Sequence, residues 1–245
     1  MRFYPVDIEE RRELGGYTLL SYRWPDGSVQ PGQFVMARVA GYPVTLDPFL
    51  ARPFSFYDHD GEVASLLFEV RGRGTALLDR APERIEVSAP LGHGFDIGAN
   101  GTPAALLGGG IGVAPLKILS RHLTARNVRH DIFLGFAEAR FAAVAAEFPG
   151  SKVATVDGSE GTRGTVLDAV PDLDRYGAVY ACGPNPMLAA VKRVAGEDSV
   201  CQLSVEERMG CGNGSCNGCV VPVRDGGYVR SCIEGPVFRA EVLAW

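Results

Sequence analysis

The sequence predicts a multidomain β and α/β protein: an N-terminal antiparallel β-barrel, a parallel doubly wound sheet, and a small C-terminal cysteine-rich module. Three observations predict it. Residues 1–99 carry short runs that alternate apolar and other side chains between turns, and strands of that length close as a small barrel. From 100 to 204, apolar strand-like runs alternate with helical ones, the pattern of a parallel sheet with helices on its faces. Residues 205–245 hold four of the six cysteines, set among glycines.

Each element has its reason. Barrel strands are expected at Thr18–Arg23, which runs into the turn Pro25-Asp26-Gly27, and at Gln33–Val39, Val63–Val70 and Arg84–Ala89. A further strand starts at Arg52. In the sheet, the apolar run Ala104–Leu107 ends in glycines and leads into a helix over Ala114–Leu123. Asp131–Phe136, Lys152–Val156 and Ala178–Ala181 read as strands, Phe141–Phe148 and Pro186–Ala195 as helices, and Cys201 as a buried strand residue. Short strands at Val220–Val223 and Tyr228–Arg230 complete the module.

Composition narrows the function. Hydrophobic residues make up 46% and charged residues 22%, with a formal charge of −5 and no basic run, so no nucleic-acid partner is expected. The first residues lack a basic stretch followed by an apolar core, so no secretory signal is expected. The apolar stretch Pro103–Leu119 is too short and too interrupted to span a bilayer. No membrane association is expected, and the cytoplasm is the default location. The four histidines, His59, His93, His122 and His130, are scattered and read as surface residues.

The cysteine spacing is Cys211-x4-Cys216-x2-Cys219-x12-Cys232. This is the plant-type [2Fe–2S] pattern. The residues between the first three cysteines are small or turn-forming, so several backbone N–H groups can aim at sulfur. Such donors stabilise a reduced cluster. Four thiolates can also hold zinc, but structural zinc favours paired Cys-x2-Cys knuckles and only one such pair exists. Disulfides are disfavoured in a reducing compartment.

Two further groups of residues point to phosphate-bearing ligands. Arg52-Pro53-Phe54-Ser55 offers a guanidinium fork suited to a diphosphate. Gly72-Arg73-Gly74-Thr75 precedes a short helical run, with Thr75 expected as its cap. Gly108-Gly109-Gly110-Ile111-Gly112 follows a strand and opens a helix, as a dinucleotide loop does. Cys182-Gly183-Pro184 does the same one strand further along.

In that order, these motifs resemble the ferredoxin–NADP reductase superfamily. Ser204–Pro222 and Arg230–Phe238 are similar to the family of electron-transfer subunits of the heteromeric, NAD-dependent (type B) dihydroorotate dehydrogenases, and the resemblance covers nearly the whole chain. It implies FAD on this chain, contacted by Arg52, Pro53, Phe54, Ser55, Leu67, Phe68, Glu69, Gly74 and Thr75, with Glu69 contributing its backbone. It implies NAD as a diffusible co-substrate near Gly109, Gly110, Ile111, Gly112, Cys182, Gly183 and Pro184, and a [2Fe–2S] cluster on Cys211, Cys216, Cys219 and Cys232. It also implies a separate FMN-containing catalytic subunit that oxidises dihydroorotate to orotate, two of each chain forming a heterotetramer. Nicotinamide exchanges two electrons at once and the cluster one, so flavin stands between them. No catalytic side chain is expected here, because proton abstraction would belong to the partner. The cluster loop, with Met209 and Val220, is the expected contact face. Related subunits serve sulfide dehydrogenases, bifurcating transhydrogenases and hydrogenases, and a redox-sensing module is a reading of a different class.

Overall fold

Six strands build the first unit: β1 (Phe3–Leu14), β2 (Tyr17–Arg23), β3 (Phe34–Val39), β4 (Arg52–His59), β5 (Val63–Phe68) and β6 (Arg84–Ser88), with helix α1 (Arg73–Asp79) between the last two. They close as an antiparallel barrel in the order β1-β2-β5-β4-β3-β6. β1 makes closure possible. Its start pairs with β6 and its end with β2, on either side of a register shift between Ile8 and Glu10. Inward residues follow the period of two: Leu20 and Tyr22, Val35 and Ala37, Phe54 and Phe56, Ile85 and Val87 share one core. Phe34 and Met36 face the other way and pack against the cysteine module.

The computed structural model describes residues 1–25, 27–39, 48–81, 83–98, 102–195 and 199–245. Asp26 of the expected turn and the expected seam at 99/100 lie outside the described residues.

The second unit is a seven-stranded sheet. Its strands are β7 (Ala104–Gly109), β8 (His130–Phe136), β9 (Lys152–Thr155), β10 (Thr162–Arg163), β11 (Ala178–Gly183) and β12 (Val200–Val205), joined at one edge by a late strand described below. Neighbours among these six pair in parallel, in the order β10-β9-β8-β7-β11-β12. Alternate residues serve opposite faces. Leu106, Leu134 and Tyr180 pack with α2 (Ala114–Ala125) on the barrel side, while Leu107, Phe133 and Ala181 pack on the other side. The helix expected over 141–148 splits into α3 (Ala139–Ala142) and a 3₁₀ turn over Ala143–Glu147. Pro149 bars continuation, and the tighter winding sets Phe148 edge-on to Tyr57 of the barrel at 6.3 Å between centroids. α4 (Asn185–Val194) follows β11.

In the last unit, β13 (Val220–Pro222) and β14 (Tyr228–Arg230) form a hairpin, and β15 (Val237–Arg239) returns to pair antiparallel with β12. The parallel sheet therefore takes its edge strand from the cysteine-rich end of the chain. β15 is not among the strands the sequence predicts, because its pairing with β12 joins segments far apart in the chain. β1 escapes because Glu9-Glu10-Arg11-Arg12-Glu13 is wholly charged, lying on an exposed outer wall.

The three units are stitched by hydrogen bonds between them. Gln202 on β12 gives its Nε2–H to the Asp96 carbonyl and accepts from the Asp96 N–H, both at 2.8 Å. The His93 N–H donates to the Gly235 carbonyl at 2.6 Å. His59 is not the surface residue expected: its Nε2 is buried at the barrel–α2 contact. No helix among the described residues is long and apolar enough to cross a membrane.

Candidate functional site

A cleft of about 230 Å³ lies where the three units meet. The barrel supplies Phe34, Pro53, Phe54 and Ser55 from β3 and β4, and Leu67, Phe68, Glu69 and Arg71 from the end of β5. The sheet supplies Ile111, Ala114 and Cys182, and the chain leaving β12 supplies Glu206, Glu207 and Met209. Its walls are apolar with a few polar groups, the character of a cofactor site. Sequence reasoning missed Phe34, Arg71, Glu206 and Pro236 as lining residues, because they enter from separate segments with no shared motif.

The Glu69 carboxylate accepts from Arg71 Nε at 2.7 Å, so its charge is met within the protein. Glu206 lines the cleft and is exposed there, with neighbouring protein thinning the water around its carboxyl. Loss of water raises its pKa above the ordinary glutamate value, with the Arg71 charge opposing. Cys182 is buried, and burial together with the Glu206 charge pushes its thiol up, against a Ser204 hydrogen bond.

Arg52, Gly74 and Thr75 stand together beyond the cleft. A Cβ on Gly74 would lie 2.2 Å from Arg52 Nε, so only glycine lets the guanidinium lie over this turn. Thr75 is not the helix cap. Gly72 takes that place, and Thr75, in the first turn, accepts from the Arg71 and Gly72 N–H groups at 3.0 and 3.1 Å. The hydroxyl thus shapes the turn itself.

The glycine loop after β7 also divides its tasks. A Cβ on Gly112 would lie 2.3 Å from the Cys182 carbonyl oxygen, and one on Gly109 2.3 Å from Met187 Sδ. These two allow the β7 and β11 loops to touch. Gly110, at φ +56°, has open space before it. Gly183 and Pro184 complete the rim at the start of α4.

The four cysteines form a graded set. Cys219 (2% exposed) and Cys232 (1%) are sealed in a core with Phe34 and Met36, Cys211 is half-buried, and Cys216 is exposed. The Cys216 N–H donates to Cys211 Sγ and the Gly218 N–H to Cys216 Sγ, both at 3.4 Å. Although burial opposes it, the amides of Asn213, Cys216 and Ser215 bring the Cys211 thiol down to about 7. Burial and a hydrogen bond with Cys219 push Cys232 up to about 12. Arg230 holds the turn before Cys232 through its Nε–H to Glu234 at 3.2 Å and its Nη1–H to the Gly214 carbonyl at 3.2 Å. Among the described residues, no three His, Cys, Asp or Glu side chains converge as a single ion requires. Four thiols, three on one loop and one apart, with amides already aimed at sulfur, fit the donor set a two-iron cluster needs. Met209, expected on the contact face, instead packs inward between these cysteines and the cleft.

A closed antiparallel barrel, a parallel sheet with glycine loops at its carboxyl edge, and a thiol set behind their shared cleft define a fold of the ferredoxin–NADP reductase class. The solved structure of an NADH-dependent reduced ferredoxin–NADP oxidoreductase shares the fold, with a TM-score of 0.83 at 24% identity, covering 98% of this chain and 90% of that one. The family model for the iron–sulfur cluster binding domain of dihydroorotate dehydrogenase B matches residues 206–244. The dihydroorotate dehydrogenase B (NAD(+)) electron transfer subunit of Bacillus caldolyticus is 43% identical over 223 residues, 86% of this chain and 85% of that one. Its counterpart in Caldanaerobacter subterraneus is 38% identical over 242 residues, 96% and 95% of the two chains. The chain belongs to the family of dihydroorotate dehydrogenase B electron transfer subunits.

Proposed function

We propose that this chain passes electrons from the FMN of a dihydroorotate-oxidising catalytic subunit, through a [2Fe–2S] cluster and FAD, to NAD⁺, in de novo pyrimidine (UMP) biosynthesis in the cytoplasm. The observation that carries the reading is the grading of the thiols. Cys219 and Cys232 back onto Phe34 and Met209, which line the cleft, while Cys216 opens outward. Bound FAD supplies the exchange between two-electron and one-electron carriers. Pro53 to Ser55 and Leu67 to Glu69 form its wall, and Arg52, seated on Gly74, faces its diphosphate. Gly110, with Gly183 and Pro184, receives the nicotinamide dinucleotide. The functional units run 1–99, 100–204 and 205–245.

The outward thiol sets the partner's place. Met1, Leu50 and Ile233 are exposed and flank the loop: a Cβ on Gly212 would lie 3.1 Å from Met1 Cε, one on Gly210 3.9 Å from Leu50 Cδ1, and one on Gly214 2.8 Å from Ile233 Cγ1. Exposed apolar side chains around a redox group form a docking face for the catalytic subunit. Protein purified without oxygen should carry FAD, iron and acid-labile sulfur. With the FMN subunit, dihydroorotate and NAD⁺, it should yield orotate and NADH and co-elute as a heterotetramer of two of each. A colourless, iron-free preparation would overturn the reading. Coupling to another donor, such as sulfide, without orotate formation would assign the chain to a different complex.

A further inference from the structure

The hairpin that carries the last two cysteines leaves one polar atom without a partner. β13 and β14 pair Val220 with Arg230 and Val221 with Val229. The ladder runs one step further, because the Ser231 N–H donates to the Cys219 carbonyl at 2.9 Å. Ser231 therefore lies opposite Cys219. Opposed residues of an antiparallel pair send their side chains to one face, with Cβ atoms about 4.5–5.5 Å apart. The Ser231 side chain is fully buried, and its Oγ has no hydrogen-bond partner. Buried hydroxyls are normally satisfied, so an orphan of this kind calls for a cause. The other orphaned side-chain atoms among the described residues, on Tyr22, Tyr57, His59 and Asn185, lie on the barrel or at the start of α4. Ser231 alone adjoins two of the cysteines assigned to the cluster.

Resting on the cluster reading above, we propose that the Ser231 hydroxyl donates its hydrogen to a sulfur of the [2Fe–2S] group and raises that group's reduction potential. Reduction brings in one electron from a flavin and no proton. The added negative charge spreads onto the sulfurs, where an O–H donor stabilises it more than it stabilises the oxidised state. The serine keeps its proton throughout. Backbone amides such as those of Cys216 and Gly218 serve the exposed side of the thiol set. Ser231 serves the buried side, where low dielectric strengthens the bond.

The test is an EPR-monitored redox titration of the full chain, loaded with FAD and cluster, as wild type, Ser231→Ala and Ser231→Thr. Ser231→Ala should retain wild-type iron and sulfide but lose about tenfold in the equilibrium constant for cluster reduction, about 59 mV for one electron. Ser231→Thr, which keeps the hydroxyl, should restore the wild-type value. An unchanged potential in Ser231→Ala, or a threonine variant as low as the alanine one, overturns the proposal. If the alanine variant sheds iron and the threonine variant does not, the hydroxyl holds the group and the proposal stands. If both shed iron, the site needs only the serine's size and the proposal falls. Failure here leaves a wild-type protein with its cluster, whereas failure of the functional reading leaves one without.

Discussion

Gly74 matters for what it leaves room for. An added methyl would meet the Arg52 guanidinium, which must then leave the turn. A hydrogen bond to a charged group contributes about 1.5–3 kcal/mol, so Gly74→Ala should weaken FAD binding by about tenfold or more. Titration of flavin-free protein with FAD, followed by fluorescence quenching, checks it, and unchanged affinity would separate Arg52 from the flavin. Glu206 gives a second prediction. Its folded pKa is raised above the usual 4.5, so the folded state holds a proton that the unfolded chain has already released. The resulting stability is fully present below 4.5 and lost as pH rises through the folded value. Glu206→Gln removes that loss. The two melting temperatures should agree at low pH, and the wild type should fall below the variant as pH rises. Parallel curves would show that the carboxyl is ordinary.

At the scale of elements, one close approach lies between the 3₁₀ turn over Gly110–Val113 and the end of β11. A Cβ on Gly112 would lie 2.3 Å from backbone, which cannot rotate away as a side chain can. Gly112→Ala should destabilise by about 1–3 kcal/mol. It should also raise the KM for NADH. Calorimetry and steady-state kinetics check both parts. Here the sequence reads well only in part. Four cysteines and two glycine loops are legible because their chemistry needs particular residues at short spacing. The division of labour among the glycines is not, because ligand approach and loop-on-loop approach demand the same residue. Glu206 and Phe34 carry no local signal, since a cleft wall is assembled by tertiary packing from distant segments.

For the whole molecule, β15 decides what can be removed. A chain ending at Val205 loses Met209 and Pro236 from the cleft and leaves the outer edge of β12 unpaired. Truncation there should give a protein that neither retains FAD nor stays monodisperse, as flavin absorbance and light scattering would show. A flavin-loaded, well-behaved fragment would mean that the first two units stand alone. The barrel and the parallel sheet are each legible as classes, but their dependence on the last few residues is not, because the pairing of β15 with β12 is a tertiary contact with no local signal. Since β12 and β15 are neighbours in one sheet, everything from 206 to 236 is a loop excursion that returns to its own starting point. Whatever cross-links the thiols within that excursion also fastens the sheet's margin. Iron starvation would then do more than halt electron flow: with the clasp undone, the margin offers bare amides and carbonyls to the next molecule, and iron-poor preparations should precipitate through strand-to-strand association.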